Sequence, residues 1–139
     1  MKILFDTNVI LDVMLDRTPF SESASQLLSL VERGEISGII CATTVTTIHY
    51  LSTKVMGKNE SQNKIKDLIT LVEIASVNRT VIEDAIKSTF NDFEDSVIHQ
   101  TANHAGAEAI VTRDPKGFKQ SKLPVYSPIE LLKILQLIE

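Results

Sequence analysis

Two aspartates follow short apolar runs that are typical of buried strands. Asp6 comes directly after residues 3–5, and Asp114 lies two residues after the run 110–112. If the two runs are parallel neighbours in a sheet, both carboxylates emerge at the same edge. Carboxylates brought close together repel each other unless they share a proton or hold a cation. The pair therefore predicts a site for Mg²⁺ or Mn²⁺, which prefer oxygen ligands.

A third candidate acid lies in segment 91–96, at the start of a predicted helix. Asp92, Asp95 and His99 stand at positions i, i+3 and i+7, so they share one helical face. The neighbouring apolar residues, which we expect to pack against the sheet, are Ile98, Ala102 and Ala105. This arrangement turns Asp95 toward the strand ends and makes it a predicted metal ligand, with Asp92 as a further candidate.

Each acid also has a simpler interpretation. Asp6 or Thr7 could cap the next helix, and Asp114 could be a turn residue before Pro115. Acids at a helix start also stabilise the helix dipole. The joint appearance of the acids at strand and helix ends favours a metal site. The residues predicted to be both catalytic and metal-binding are Asp6, Asp95 and Asp114.

The remaining sequence alternates short β-rich runs with longer helical patterns. Strands are predicted at residues 3–5, 36–42, 73–76, 109–112 and 124–126. Helices are predicted at residues 9–15, 43–56, 60–72, 79–88 and 92–105, with two more that Ser21 and Ser127 would cap. This rhythm predicts an α/β fold with a mostly parallel sheet of about five strands and helices on both faces.

Composition narrows the class of protein. The chain has 139 residues, enough for one domain, and its 43% hydrophobic content is that of a globular protein. The single cysteine, Cys41, is expected to be a core residue. No apolar stretch is long enough to cross a membrane and no signal peptide is evident, which predicts a cytoplasmic protein. The net charge of −4 argues against strong non-specific binding to nucleic acid, but leaves room for an enzyme whose acids bind cations.

These residues together resemble the PIN-domain family of metal-dependent nucleases. The resemblance is carried by the segments 4–8, 95–98 and 110–114, and by the final short strand and helix. It covers nearly the whole chain in the family's order. It implies one three-layer, Rossmann-like PIN domain over residues 1–139. Within the family, the chain resembles the VapC-like ribonuclease toxins of type II toxin-antitoxin systems, in a subset that lacks the usual second-motif glutamate.

The resemblance also implies an activity and partners. Members of this kind hydrolyse phosphodiester bonds in RNA with Mg²⁺ or Mn²⁺, are inhibited by a small antitoxin protein and often form homodimers. The paired helices over residues 43–72 resemble the part of the family fold that grips an antitoxin or a second protomer. Asp6, Asp95 and Asp114 match the family's first, third and fourth acids. The supporting residues are expected to be Asn8, Thr112, Arg113, Thr47 and His99.

The sequence departs from the family pattern at two positions. Thr47 occupies the expected position of the second acid, a glutamate, and His49 follows two residues later. Gly117 stands where an acid often occurs. Neither threonine nor histidine supplies a negative charge, so cation binding would be weaker unless another acid compensates. The candidates for that compensation are Asp92, Glu94 and Asp12.

The predicted chemistry is metal-assisted hydrolysis, in which the cation activates a water and stabilises charge on the phosphate. Lys116 and Lys119 are weak candidates for phosphate contacts, although each could equally be a solvated surface residue. Two other classes compete with this hypothesis. The first is a PIN-fold module that binds nucleic acid or protein without catalysis. The second is an aspartate-based phosphotransfer domain, but phosphatases of that kind need an acid where Asn8 stands.

Overall fold

Five short parallel strands form the centre of the fold. The computed structural model describes residues 1–137 and orders the strands β3-β2-β1-β4-β5, every neighbouring pair parallel. The strands are β1 (Lys2–Phe5), β2 (Ser37–Cys41), β3 (Glu73–Ala75), β4 (Ala109–Val111) and β5 (Val125–Tyr126). Strands covered on both faces must be apolar throughout, which explains the continuous hydrophobic runs in the sequence. The predicted parallel sheet of five strands is confirmed.

Helices cover both faces of this sheet. They are α1 (Thr7–Met14), α2 (Ser21–Glu32), α3 (Ala42–Met56), α4 (Lys58–Leu71), α5 (Arg79–Lys87), α6 (Phe93–His104) and α7 (Pro128–Leu137), with a 3₁₀ helix at Pro115–Phe118. Ile3 and Phe5 pack with α1–α4 and α7 on one face, whereas Leu4 packs with α5 and α6 on the other. The two cores make the three layers of the predicted architecture. No helix within residues 1–137 is long and apolar enough to cross a membrane.

The structure corrects several boundaries. Ser21 is the first residue of α2 and does not cap it, because Phe20 holds the cap position and makes no side-chain capping bond. The second strand ends at Cys41, and Ala42 already belongs to α3. Ser127 does cap α7, since its Oγ accepts from the Glu130 N–H at 3.2 Å and the Glu130 carboxylate accepts from the Ser127 N–H at 2.9 Å. Cys41 is fully buried, as expected.

Candidate active site

The two central strands bring Asp6 and Thr112 to the same edge of the sheet. β1 and β4 are parallel neighbours with Phe5 opposite Val111, and the Asp6 N–H donates to the Val111 carbonyl at 2.9 Å. Asp6 and Asp114 therefore leave the carboxyl ends of adjacent strands. This is the sheet edge at which ligands bind in open α/β folds.

Hydrogen bonds hold both carboxylate oxygens of Asp6. Oδ1 accepts from the Thr7 N–H at 2.8 Å, so Asp6 caps α1, and Oδ2 accepts from the Thr112 hydroxyl at 2.7 Å. Burial raises the pKa of Asp6 above its usual value; the bonds from Thr112 and Thr7 oppose this, and the charges of Glu94 and Asp114 add to it. The capping and metal-site interpretations of Asp6 are thus compatible.

Asn8 and Thr112 connect the ends of the two strands. Asn8 Nδ2 donates to Asp6 Oδ2 at 3.4 Å and to Thr112 Oγ1 at 3.3 Å, while its Oδ1 accepts from the Arg113 N–H at 3.1 Å. Thr112 Oγ1 also accepts from the Asp114 N–H at 3.1 Å. This network fixes the direction of Asp6 and of the backbone that carries Asp114. The structure thus brings Asn8 and Thr112 into contact with Asp6, and their supporting role in a metal site stays a prediction.

Asp95 faces the strand ends from the first turn of α6. Burial and the charges of the surrounding acids raise its pKa to about 7; those acids are, in falling order of effect, Asp6, Asp92, Glu94 and Asp114. A Cβ added at Gly117 would lie 2.8 Å from Asp95 Oδ2 and 3.7 Å from Asp114 Oδ2. The carboxylates of Asp95 and Asp114 therefore border one small space, and the absence of a side chain at position 117 keeps that space open.

This donor set fits a hard divalent cation. The groups around the space are carboxylates, and the pKa of Asp95 is raised first by burial and then by the charges of the neighbouring acids. Among residues 1–137, no three Asp, Glu, His or Cys side chains already lie close enough together to enclose an ion. The fit is thus to a hydrated ion such as Mg²⁺, which needs only one or two carboxylates and keeps several waters.

The candidates for replacing the missing glutamate differ in their surroundings. Asp12 is only 1% exposed and is paired with two arginines, Nε of Arg17 at 2.8 Å and Nε of Arg113 at 2.9 Å. Its charge is therefore neutralised within the protein. Asp92 caps α6 by accepting from the Asp95 N–H at 3.0 Å. Asp92 and Glu94 are both exposed, and their charges act on Asp95, so the candidate acids for compensation lie at the start of α6.

Arg113 is directed away from the acids that could bind a metal. Its Nη2 donates to Asp12 Oδ1 at 3.2 Å, and its guanidinium lies 4.0 Å from the centre of the Phe20 ring. Arg113 Nε lies 2.9 Å from Asp12 Oδ2, which is close enough for an ion pair, but the contact does not have the geometry of a hydrogen bond. The side chain thus contacts Asp12 on α1 and the Phe20 ring rather than projecting freely toward a substrate.

The remaining predicted site residues are less closely connected to the acids. Thr47 Oγ1 donates to the Thr43 carbonyl at 3.2 Å, a bond within its own helix. His99 is buried, and its Nε2 accepts from the Lys122 N–H at 3.1 Å, so its recorded hydrogen bond goes to backbone and not to a carboxylate. Lys116 and Lys119 are exposed and make no ion pair with any residue between 1 and 137.

Sequence reasoning overlooked one residue beside the site. Thr44, and not Thr47, reaches α1: its hydroxyl lies 2.9 Å from that of Thr7, directly beside Asp6. Thr44 is almost completely buried. In the sequence it is one of several threonines in a row, and only its burial distinguishes it from the others.

The family profile described as "PIN domain" matches residues 2–116, and the chain belongs to this family. The predicted resemblance is thereby confirmed. A curated relative is Ribonuclease VapC1 of Aquifex aeolicus, 26% identical over 137 residues, which cover 94% of this chain and 89% of that protein.

Solved structures share the same fold. The DNA-bound VapBC complex from Salmonella typhimurium contains a chain that superposes with a TM-score of 0.71 at 16% identity, covering 92% of this chain and 98% of the other. VapBC2 from Rickettsia felis, bound to a promoter DNA fragment, gives a TM-score of 0.69 at 18% identity, covering 90% and 97%. At these identities the similarity shows the three-layer fold.

Proposed function

We propose that this chain is a metal-dependent endoribonuclease that hydrolyses phosphodiester bonds in RNA. The observation that carries the proposal is the arrangement of Asp6, Asp95 and Asp114 around the carboxyl ends of β1 and β4. The similarity to a protein named Ribonuclease VapC1, which extends over 94% of the chain, supports RNA as the substrate. We also propose that the protein is the toxin of a toxin-antitoxin pair.

Asp6, Asp95 and Asp114 would hold Mg²⁺ or Mn²⁺ together with several waters, because the three carboxylates do not lie close enough together to enclose the ion alone, and Asp92 would be an additional acid beside Asp95. The bound ion supplies electrostatic stabilisation of the phosphate and activates water. Thr112 and Thr7 bind the two oxygens of Asp6 before any cation arrives, so this carboxylate needs little reorganisation. Asp95 retains a proton in part of the population near neutral pH and must release it when a cation binds.

Cleavage assays with matched variants test the nuclease proposal. Asp6→Asn preserves the size of the side chain but removes its charge, and we expect it to lower Mn²⁺-dependent cleavage of a panel of RNAs by at least a hundredfold. Asp67→Asn makes the same chemical change at an exposed position on α4 and should leave cleavage unchanged. Equal cleavage rates for wild type and Asp6→Asn would refute the proposal.

A second candidate function is binding without catalysis, and one observation favours it. Thr47 stands where the family glutamate is expected, and its hydroxyl donates to the helix backbone instead of adding a ligand. A pure binding module would retain RNA affinity in EDTA and show no product with Mn²⁺ at any concentration. The same assays with Mn²⁺ and with EDTA therefore separate the two functions.

We further propose an antitoxin partner and a homodimer. The similarity of the fold to chains in the solved VapBC complexes supports a protein partner. α3 and α4 pack on each other and expose large apolar side chains, namely Tyr50, Leu51, Val55 and Ile69. These side chains lie on the pair of helices for which the resemblance implies a partner. Light scattering after size-exclusion chromatography tests the dimer, and Val55→Glu should weaken association if this face mediates it.

A further inference from the structure

A cleft lies one helical turn along α6 from Asp6, Asp95 and Asp114, which are called the acidic centre below. It has a volume of about 420 Å³ and is bounded by the end of α5, the segment 88–90, the middle of α6 and the residues after the 3₁₀ helix. The side chains that matter for its chemistry are Phe90, His99, Lys87, Lys122, Gln100 and Gln120. Its volume falls within the range of pockets that hold small ligands.

Two features place the cleft next to the acidic centre. His99 follows Asp95 by four residues, so both lie on the same side of α6. Phe90 makes an edge contact with Phe118 at 6.0 Å between ring centres, and Phe118 is the neighbour of Gly117, which faces Asp95. A polymer bound at the acids could therefore extend into the cleft.

An aromatic pair forms one wall of the cleft. The partly exposed ring of Phe90 stacks on His99 with 4.8 Å between ring centres and 27° between planes. Because His99 Nε2 accepts a hydrogen bond from the Lys122 N–H, the proton of the neutral imidazole is on Nδ1. That Nδ1 is buried and has no hydrogen-bond partner in the described part of the chain. A buried donor without a partner is unfavourable, so this wall of the cleft carries an unsatisfied polar group.

The charge at the mouth of the cleft is positive. Lys87 and Lys122 make no ion pair with other residues in the range 1–137, and these two ammonium groups outnumber the single acid of the cleft, Asp84, whose carboxylate lies 2.8 Å from His104 Nε2. Two uncompensated ammonium groups beside an aromatic ring match the two parts of a nucleotide, its phosphate and its base. The amides of Gln100 and Gln120 can both donate to and accept from a base edge.

We propose that this cleft binds a nucleotide of the RNA that flanks the cleaved phosphate, with its base on Phe90 and its phosphate near Lys87 and Lys122. The inference rests on the proposed ribonuclease function, because it assigns a position to that substrate. Contacts with a flanking nucleotide are one way in which nucleic-acid enzymes select sequence context. The cleft would then contribute to the choice of cleavage site.

Binding without cleavage tests the cleft independently of the catalytic proposal. The wild-type chain in EDTA is titrated with each of the four ribonucleoside 5′-monophosphates while backbone and imidazole NMR signals are recorded. We expect shifts at Phe90, His99 and Lys122 for at least one nucleotide. Signals that stay unchanged at these residues, or that shift only around Asp6 and Asp114, would overturn the inference.

Matched variants then test the same contacts with a labelled single-stranded RNA in EDTA. Lys87→Gln and Lys122→Gln should each raise the Kd about threefold and reduce the salt dependence of log K by about 0.7. The Lys122 bond to His99 comes from the backbone and survives the substitution. Lys66→Gln, on the exposed side of α4, is the control and should change neither quantity. Phe90→Leu should raise the Kd about tenfold, whereas Phe90→Tyr, which keeps an aromatic ring, should have the Kd of wild type.

Cleavage kinetics with Mn²⁺ separate the two proposals. If both hold, the cleft variants raise KM with little change in kcat. If RNA is cleaved but the cleft variants bind and cleave like wild type, the cleft inference fails while the nuclease remains. If nucleotides bind in the cleft and no RNA is cleaved, the nuclease proposal fails and the cleft remains a nucleotide site.

Discussion

Asp12→Ala is expected to lower the free energy of unfolding by about 2 kcal/mol. Removing one partner of a buried ion pair costs about 3–5 kcal/mol, because the remaining charge is left in a poorly solvated position. Here the remaining charges are Arg17 and Arg113, whose side chains are 37% and 33% exposed and can regain water, so the cost is smaller. For a chain of this size, 2 kcal/mol corresponds to a decrease in Tm of about 4–8 °C.

Urea unfolding monitored by circular dichroism measures this effect. Asp67→Ala removes an exposed acid from α4 and should change stability by less than about 0.5 kcal/mol. A double-mutant cycle of Asp12→Ala with Arg17→Met should show a coupling energy, since each substitution removes the same contact. If Asp12→Ala is as mild as Asp67→Ala, the two arginines do not depend on this carboxylate and the interpretation of Asp12 as a structural ion-pair centre is wrong.

Three further predictions concern the acidic centre. Because the pKa of Asp95 is raised to about 7, the metal-free protein should lose stability as pH rises from about 4 to about 7; thermal melts in EDTA check this, and Asp95→Asn should flatten the profile. Thr112→Val leaves Asp6 without its hydroxyl donor and should cost about 1–3 kcal/mol in urea unfolding. Gly117→Ala places a Cβ 2.8 Å from Asp95 Oδ2 and should weaken Mn²⁺ binding about tenfold by calorimetry.

Each of these has an outcome that contradicts it. The sign for Asp95 follows from proton counts: between the two pKa values the folded state holds more protons than the unfolded state, so stability falls as pH rises. A profile of Asp95→Asn that matches that of wild type over this range would exclude a protonated Asp95. Unchanged stability of Thr112→Val would show that water replaces the hydroxyl. Wild-type Mn²⁺ affinity in Gly117→Ala would place the ion away from Asp95. Ser121→Ala, in the loop after the 3₁₀ helix, is the control for a general change in the conformation of that loop.

The fold could be predicted because the central strands β1 and β4 are buried on both faces. Residues 3–5 and 109–111 are almost completely inaccessible to solvent, so their sequence is apolar at every position and their length is bounded by polar neighbours. Helix ends were less predictable. Ser21 has the residue type of an N-cap but begins the helix itself, because the chain turns one residue earlier at Phe20. Local residue preference cannot determine where a tertiary turn is made.

The site was predictable only where the sheet dictates it. Asp6 and Asp114 follow from strand ends, and the parallel pairing of β1 with β4 supplies their proximity. The position of Arg113 did not follow from sequence, because its partner Asp12 lies 101 residues earlier. Ion pairs between distant segments depend on side-chain directions that periodicity does not encode. The metal-binding roles of Asp6, Asp114 and Asp95 stay predictions.

The distribution of acids explains how the site could tolerate threonine at position 47. Asp12, the acid closest in sequence to Asn8, is neutralised by two arginines and contributes no free charge. Asp92 and Glu94 instead place negative charge beside Asp95, whose pKa is raised first by burial and then by the charges of Asp6, Asp92 and Glu94. A further carboxylate from α3 would increase this repulsion in the metal-free protein. The negative charge is therefore concentrated at the strand ends and at the start of α6, and under the proposed function the affinity for a cation would depend on whether these acids can release their protons.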